Sequence, residues 1–306
     1  MNRLKKFLKG RPLRWVFWHP HQGLWNWDLV RIVSKVLPID LIRKFIIGSI
    51  IFLDTSVLWI RAFARRIRKL GLASLFIKEK LPTNIPILYL DVGTHKEAKE
   101  LSLMVNKILP RFSNNFQAYG FEASKELFNF AKEKFKNKKN ITLIQAALCQ
   151  TPPKDGKICL YKDSREGFAN SLFREQYSEH EYVKALRLSD WLKEEDIKLS
   201  RKISLLRMNI EGAEYDVVLD LVNNGVAKHI DGYYGMWDDV SKNSVELDKK
   251  FRTFLRNNGV FPFTFNGRDF VSCLRLKCIE YDISTTIRDG FRRLLLNGSH
   301  LNFEND

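Results

Sequence analysis

From residue 85 onward the chain alternates short, almost wholly apolar runs with longer amphipathic ones. Ile85-Pro86-Ile87-Leu88-Tyr89-Leu90-Asp91-Val92 predicts a buried strand, and the polar Lys80-Leu81-Pro82-Thr83-Asn84 before it predicts a linker. The pattern then predicts a helix at 95–109, a strand at 116–121, a charged helix at 124–137 and a strand at 141–148. Strands separated by helices at this spacing need right-handed crossovers, which make a parallel sheet and an α/β class.

Lys157-Ile158-Cys159-Leu160-Tyr161 predicts a further strand, followed by a polar loop from Lys162 to Ser171. A strand at 203–210, a helix at 213–224, a strand at 229–236 and a helix at 243–257 continue the alternation. Residues 260–265 and 269–274, separated by Asn266-Gly267-Arg268, predict a closing hairpin. The remainder, from about 280, is basic and weakly patterned. Three regions result: an extension over 1–80, a catalytic-sized domain over 81–280, and a tail over 281–306.

Charge changes the picture of the first region only. The net charge is +16, and residues 1–80 hold 17 Lys/Arg against four acidic residues, whereas residues 81–306 are almost balanced. Five of the seven tryptophans, Trp15, Trp18, Trp25, Trp27 and Trp59, lie in the same region. Tryptophan interleaved with Lys/Arg suits an anionic membrane surface, with the ring at headgroup depth and the cation on lipid phosphate. The apolar run 45–60 is short for a span and carries Asp54 near its centre. An in-plane anchor at the cytoplasmic face fits residues 1–80 best; a soluble helical extension and a true span are the other arrangements. A cleavable signal peptide does not fit, because the first apolar run follows about forty residues rich in Trp and Arg. A nucleic-acid partner is disfavoured, since no zinc-finger, RNP or basic-zipper pattern accompanies the charge. The four cysteines, Cys149, Cys159, Cys273 and Cys278, form no CxxC pair and read as reduced thiols.

Candidate chemistry collects at predicted strand ends. Asp91-Val92-Gly93-Thr94-His95 puts an acid, a glycine and a helix start after the first strand, the arrangement that lets backbone approach a ligand. Thr94-His95-Lys96-Glu97 also reads as a capping box. Glu122, followed by Ala123, ends the second strand where a carboxylate can accept from ribose hydroxyls. Gln145 and Ala146 end the third, with room for an adenine edge. Leu205-Leu206-Arg207-Met208-Asn209-Ile210-Glu211-Gly212-Ala213-Glu214 runs a strand into an acidic turn and a helix, and Asp238-Asp239 follow the next strand.

This last run resembles the hallmark segment of the FkbM family of S-adenosylmethionine-dependent methyltransferases, usually close to Leu-Lys-Ile-Asp-Val-Glu-Gly-Ala-Glu. The resemblance extends in order over about residues 86–275, including Asn170-Ser171-Leu172 as a substrate-side loop and Arg187–Leu192 before the hallmark strand. It implies a Rossmann-like class I methyltransferase fold, with a mainly parallel seven-stranded sheet, a C-terminal antiparallel hairpin and, here, a basic helical N-terminal extension. It implies S-adenosylmethionine as cofactor, held by Asp91, Gly93, Thr94, Glu122, Ala123, Gln145 and Ala146. It implies O-methylation of a hydroxyl on a glycan, lipid-linked saccharide or related metabolite. Glu211 and Asn209 then position or deprotonate the acceptor, with Asp238 and His95 as further candidates. Glu214 reads either as a crevice acid or as a first-turn helix acid.

Two positions depart from the family form. Glu97 stands where a second glycine is usual, and its charge would oppose the cofactor carboxylate. Either His95 or Lys96 offsets it, or the cofactor tail sits differently, or binding is weakened. Asn209 replaces aspartate, which weakens a divalent-metal role for this turn. Together they leave open a non-catalytic, membrane-held interaction module.

Overall fold

The computed structural model describes residues 81–95, 97–162, 170–173, 179–235, 237, 240, 244–264 and 272–297, with a few isolated positions between 60 and 72. Most of the 1–80 extension, including the run 45–60, lies outside them, as do Lys96, Asp238 and Asp239. Two compact units divide the chain: 1–77 with 265–286, and 78–264 with 287–306. The second is described below.

Its main sheet holds six strands: β1 (Ile87–Val92), β2 (Phe116–Glu122), β3 (Ile141–Gln145), β7 (Ile203–Met208), β8 (Gly232–Gly235) and β9 (Phe263–Thr264). Their order is β3-β2-β1-β7-β8-β9, and every pair is parallel. β1 and β7 show why the class was legible: all six residues of each are buried, as a central parallel strand covered on both faces requires. Progression from β1 runs one way to β2 and β3, and from β7 the other way to β8 and β9. The switch point therefore falls between β1 and β7, where open α/β sheets bind their ligands.

A smaller sheet, ordered β4-β6-β5, is built from β4 (Ala147–Leu148), β5 (Lys157–Tyr161) and β6 (His180–Leu186). The predicted strand 141–148 is thus two strands, broken at Ala146, whose N–H donates to the Glu122 carbonyl at 3.1 Å. β6 was not foreseen. It buries only Val183 and Ala185 in its length and leaves His180, Tyr182 and Lys184 exposed, so its apolar pattern is weak.

Helices α1 (Lys99–Leu103), α2 (Lys125–Phe135), α3 (Leu188–Glu194), α4 (Glu214–Asn223) and α5 (Val245–Asn257) connect the strands. Trp191 of α3 packs edge-on to Tyr119 and Phe121 of β2, with ring centroids 4.9 Å away in each case. Asp220 of α4 accepts from the Ser189 N–H at 3.0 Å and its hydroxyl at 2.5 Å, which locks α3 to α4.

The C-terminal hairpin is corrected. β9 pairs parallel with β8, and Ser272–Leu296 form a 25-residue helix, α6, where a second hairpin arm and a weakly patterned tail were expected. Short apolar runs do not distinguish strand from helix, and buried Asp282 and Asp289 interrupt the stripe that would have marked α6. Its last turns are held by Arg293, which donates to both Asp231 carboxylate oxygens at 2.7 and 2.9 Å.

Candidate active site

A cavity of about 250 Å³ opens at the switch point, lined from the carboxyl ends of β1, β2 and β7, the Ala146–Leu148 crossover and the Asn170–Leu172 segment. Gly93 follows β1 with φ 82°, and a Cβ there would stand 2.1 Å from the Asn209 carbonyl oxygen. The same closeness recurs at Gly235 (φ 129°), where a Cβ would meet the Met208 carbonyl oxygen at 1.8 Å. Both glycines let the strand ends converge. The need for Gly93 thus arises from neighbouring backbone, not only from a ligand.

The capping box does not form. Thr94 Oγ1 donates to the Asp91 and Phe121 carbonyls, each at 3.3 Å, and α1 begins only at Lys99. His95 (φ 62°) and Ala98 (φ 42°) take left-handed conformations that delay the helix. The predicted helix 95–109 is α1, then a π-turn over Met104–Ile108 and a 3₁₀ turn over Leu109–Arg111. Glu97 lines the cavity and pairs with Lys99.

Glu122 lines the cavity at the end of β2 and is 7% exposed. Its carboxylate accepts from the His95 N–H at 2.7 Å and the Ser124 N–H at 3.0 Å. Burial pushes its pKa up to about 7, against the lowering effect of those N–H donors. Ala123, Ala146 and Ala147 also line the cavity; Gln145, paired in register with Glu122, does not.

Asp91, expected among the cofactor ligands, is not a cavity residue. It is fully buried, and its Oδ1 accepts from Arg207 Nη1 at 2.8 Å. Burial raises its carboxyl above the ordinary range although Arg207 opposes this, while Asp91 and Glu100 hold Arg207 firmly charged. Arg207 Nη1 also donates to the Gly93 carbonyl at 2.8 Å, and Arg207 is among the residues lining the cavity. Sequence reasoning assigned it no role. The available signal was a lone Arg inside a short buried strand, which demands a buried partner.

On the opposite wall, Asn209, Glu211 and Asn170–Leu172 line the cavity. Asn209 Oδ1 is buried with no hydrogen-bond partner. Glu211 holds φ 54° and Gly212 φ 111°. Glu214 settles its two readings: fully buried, it accepts from the Ile210 N–H at 2.8 Å and the Gly212 N–H at 2.9 Å, so it builds the turn and is absent from the cavity lining. Ser171 Oγ donates to the Glu211 carbonyl at 3.2 Å. His95 joins the cavity, whereas Asp238 lies outside the described residues. Among the described residues, no group of three or more His, Cys, Asp or Glu is placed to hold a metal.

A parallel sheet with a cavity at its switch point is the architecture of a Rossmann-like fold. Residues 91–258, more than half of the chain, match the methyltransferase FkbM domain. The chain belongs to that family. It is similar to the crystal structure of methyltransferase FkbM from Methylobacillus flagellatus KT, at 11% identity and a TM-score of 0.28, over 74% of this chain and 54% of that one. This chain therefore spans little more than half the length of that structure. Comparison with curated proteins gives no match.

Proposed function

We propose that the protein is an S-adenosylmethionine-dependent O-methyltransferase acting on a hydroxyl of a glycan, lipid-linked saccharide or related metabolite. The observation that carries this reading is Glu122: a buried carboxylate on the cavity wall, one βα unit after Gly93, with small Ala123 and Ala146 beside it. These residues fit a nucleoside, Glu122 at the ribose diol and the alanines at the base. When bound, the cofactor supplies a methyl group on a sulfonium whose charge is lost on transfer.

The chain's part is to align the acceptor and take its proton. Glu211 and Asn209 face the cavity from the wall opposite Glu122 and receive the hydroxyl, with Glu211 as base. The basic, Trp-rich residues 1–80 support an anionic membrane surface as partner, at the cytoplasmic face. Among the described residues, no helix is long and apolar enough to cross a membrane.

Incubation with methyl-labelled S-adenosylmethionine and a panel of saccharides and lipid-linked saccharides tests the reading. Label in a base-stable ether is expected, and its loss in Glu211→Gln. Asn209 in place of aspartate favours a second reading, a non-catalytic interaction module; cofactor binding without transfer to any acceptor would select it.

A further inference from the structure

The sequence leaves open how a cofactor carboxylate is accommodated beside Glu97, and the structure narrows the choice. α1 has only five residues and starts four positions late, so its N-terminus is a poor anion site. Among the described residues, the Lys and Arg side chains lining the cavity are Lys99 and Arg207. Lys99 is largely exposed and pairs with Glu97. Arg207 is 5% exposed and fixed at its Nη1 end by Asp91 and Gly93.

That fixation leaves part of the fork unspent. A guanidinium has five N–H donors, and the two on Nη1 match the two bonds to Asp91 and Gly93. Nε is buried with no hydrogen-bond partner, and Nη2 forms an ion pair with Glu100, which also lines the cavity, at 3.6 Å, too long for a hydrogen bond. Nε and Nη2 form the edge that takes a carboxylate bidentately. Asp91 Oδ2 is also buried and unpartnered, an acceptor beside the same fork.

We propose that Arg207 binds the carboxylate of the amino-acid end of the donor, in place of a glycine-rich turn and helix N-terminus. This rests on the donor-site reading above. The tail then lies at the β1–β7 junction instead of the N-terminus of α1, and the departure at position 97 does not disable the site. Asp91 serves as the counter-charge that keeps Arg207 oriented.

Calorimetry on the full chain separates this from a structural role. S-adenosylhomocysteine is compared with its decarboxylated analogue, which keeps the ammonium and the nucleoside. The wild type is expected to prefer the carboxylate-bearing ligand by roughly tenfold to a hundredfold, the usual worth of a charge-assisted pair. Arg207→Met brings the two ligands to near parity, whereas a residue that only supports the fold weakens both alike. Arg207→Lys, which keeps the charge without the fork and is the milder change, retains a reduced preference. An unaltered preference in either variant, or none in the wild type, overturns the assignment. No binding of S-adenosylhomocysteine to the wild type would instead overturn the donor-site reading itself.

Discussion

Gly93 and Asn209 meet across the β1–β7 junction so closely that a Cβ on the glycine would stand 2.1 Å from the asparagine carbonyl oxygen. The obstacle is backbone on the adjacent strand, which cannot rotate away, and the glycine also holds φ 82°. Gly93→Ala is expected to cost at least about 2 kcal/mol of stability, strain and overpacking being among the large single-residue effects. Urea unfolding measures it; a loss within error would mean that the two strand ends are not so tightly joined.

Glu122 ties the site to pH. Its carboxyl titrates at about 7 because burial disfavours the charge. With the folded value raised, the stabilising contribution is full below the ordinary carboxylate value and is lost as pH rises through about 7. The stability of the wild type relative to Glu122→Gln should therefore fall between pH 5 and pH 8. Ribose hydroxyls donate to the ionised form, so S-adenosylhomocysteine should bind more tightly as pH rises through the same range, releasing a proton. Calorimetry in buffers of different ionisation enthalpy reads that proton, and Glu122→Gln should abolish its release.

Glu211 occupies a backbone conformation that suits glycine, bracketed by the Glu214 carboxylate on the N–H groups before and after it. A non-glycine residue there carries about 1 kcal/mol of strain. Glu211→Gly should raise the melting temperature or leave it unchanged while methyl transfer is lost. A variant that melts lower and still transfers methyl would remove the carboxylate from the proposed chemistry.

Glu214 is expected to behave in the opposite way. Glu214→Ala strands two N–H groups in a tight turn and should destabilise by roughly 1–3 kcal/mol. Its effect on the acceptor side should follow from that loss of order, seen as faster amide exchange over residues 209–213.

The contrast between these two acids shows what was legible in the sequence. The parallel sheet and the strand ends carrying Gly93, Glu122 and Asn209 followed from apolar runs and their spacing. Glu211 was read there as the acceptor-side acid, but Glu214 kept two readings, crevice acid or first-turn helix acid, because a carboxylate's direction depends on the turn geometry that the left-handed Glu211 and Gly212 create. Arg207 was hidden for a related reason: its partners, Asp91 and Gly93, are over a hundred positions away and meet it only through β1–β7 pairing. β6 escaped because it buries few side chains, and α6 because buried acids break its apolar stripe.

On the proposed function, the cavity at the switch point is a cofactor site read by Glu122. Isothermal titration of the full chain with S-adenosylmethionine tests it directly. Saturable binding, lost in Glu122→Ala while the fold is kept, is the predicted result; absence of binding in the wild type, or binding unchanged in Glu122→Ala, would contradict it.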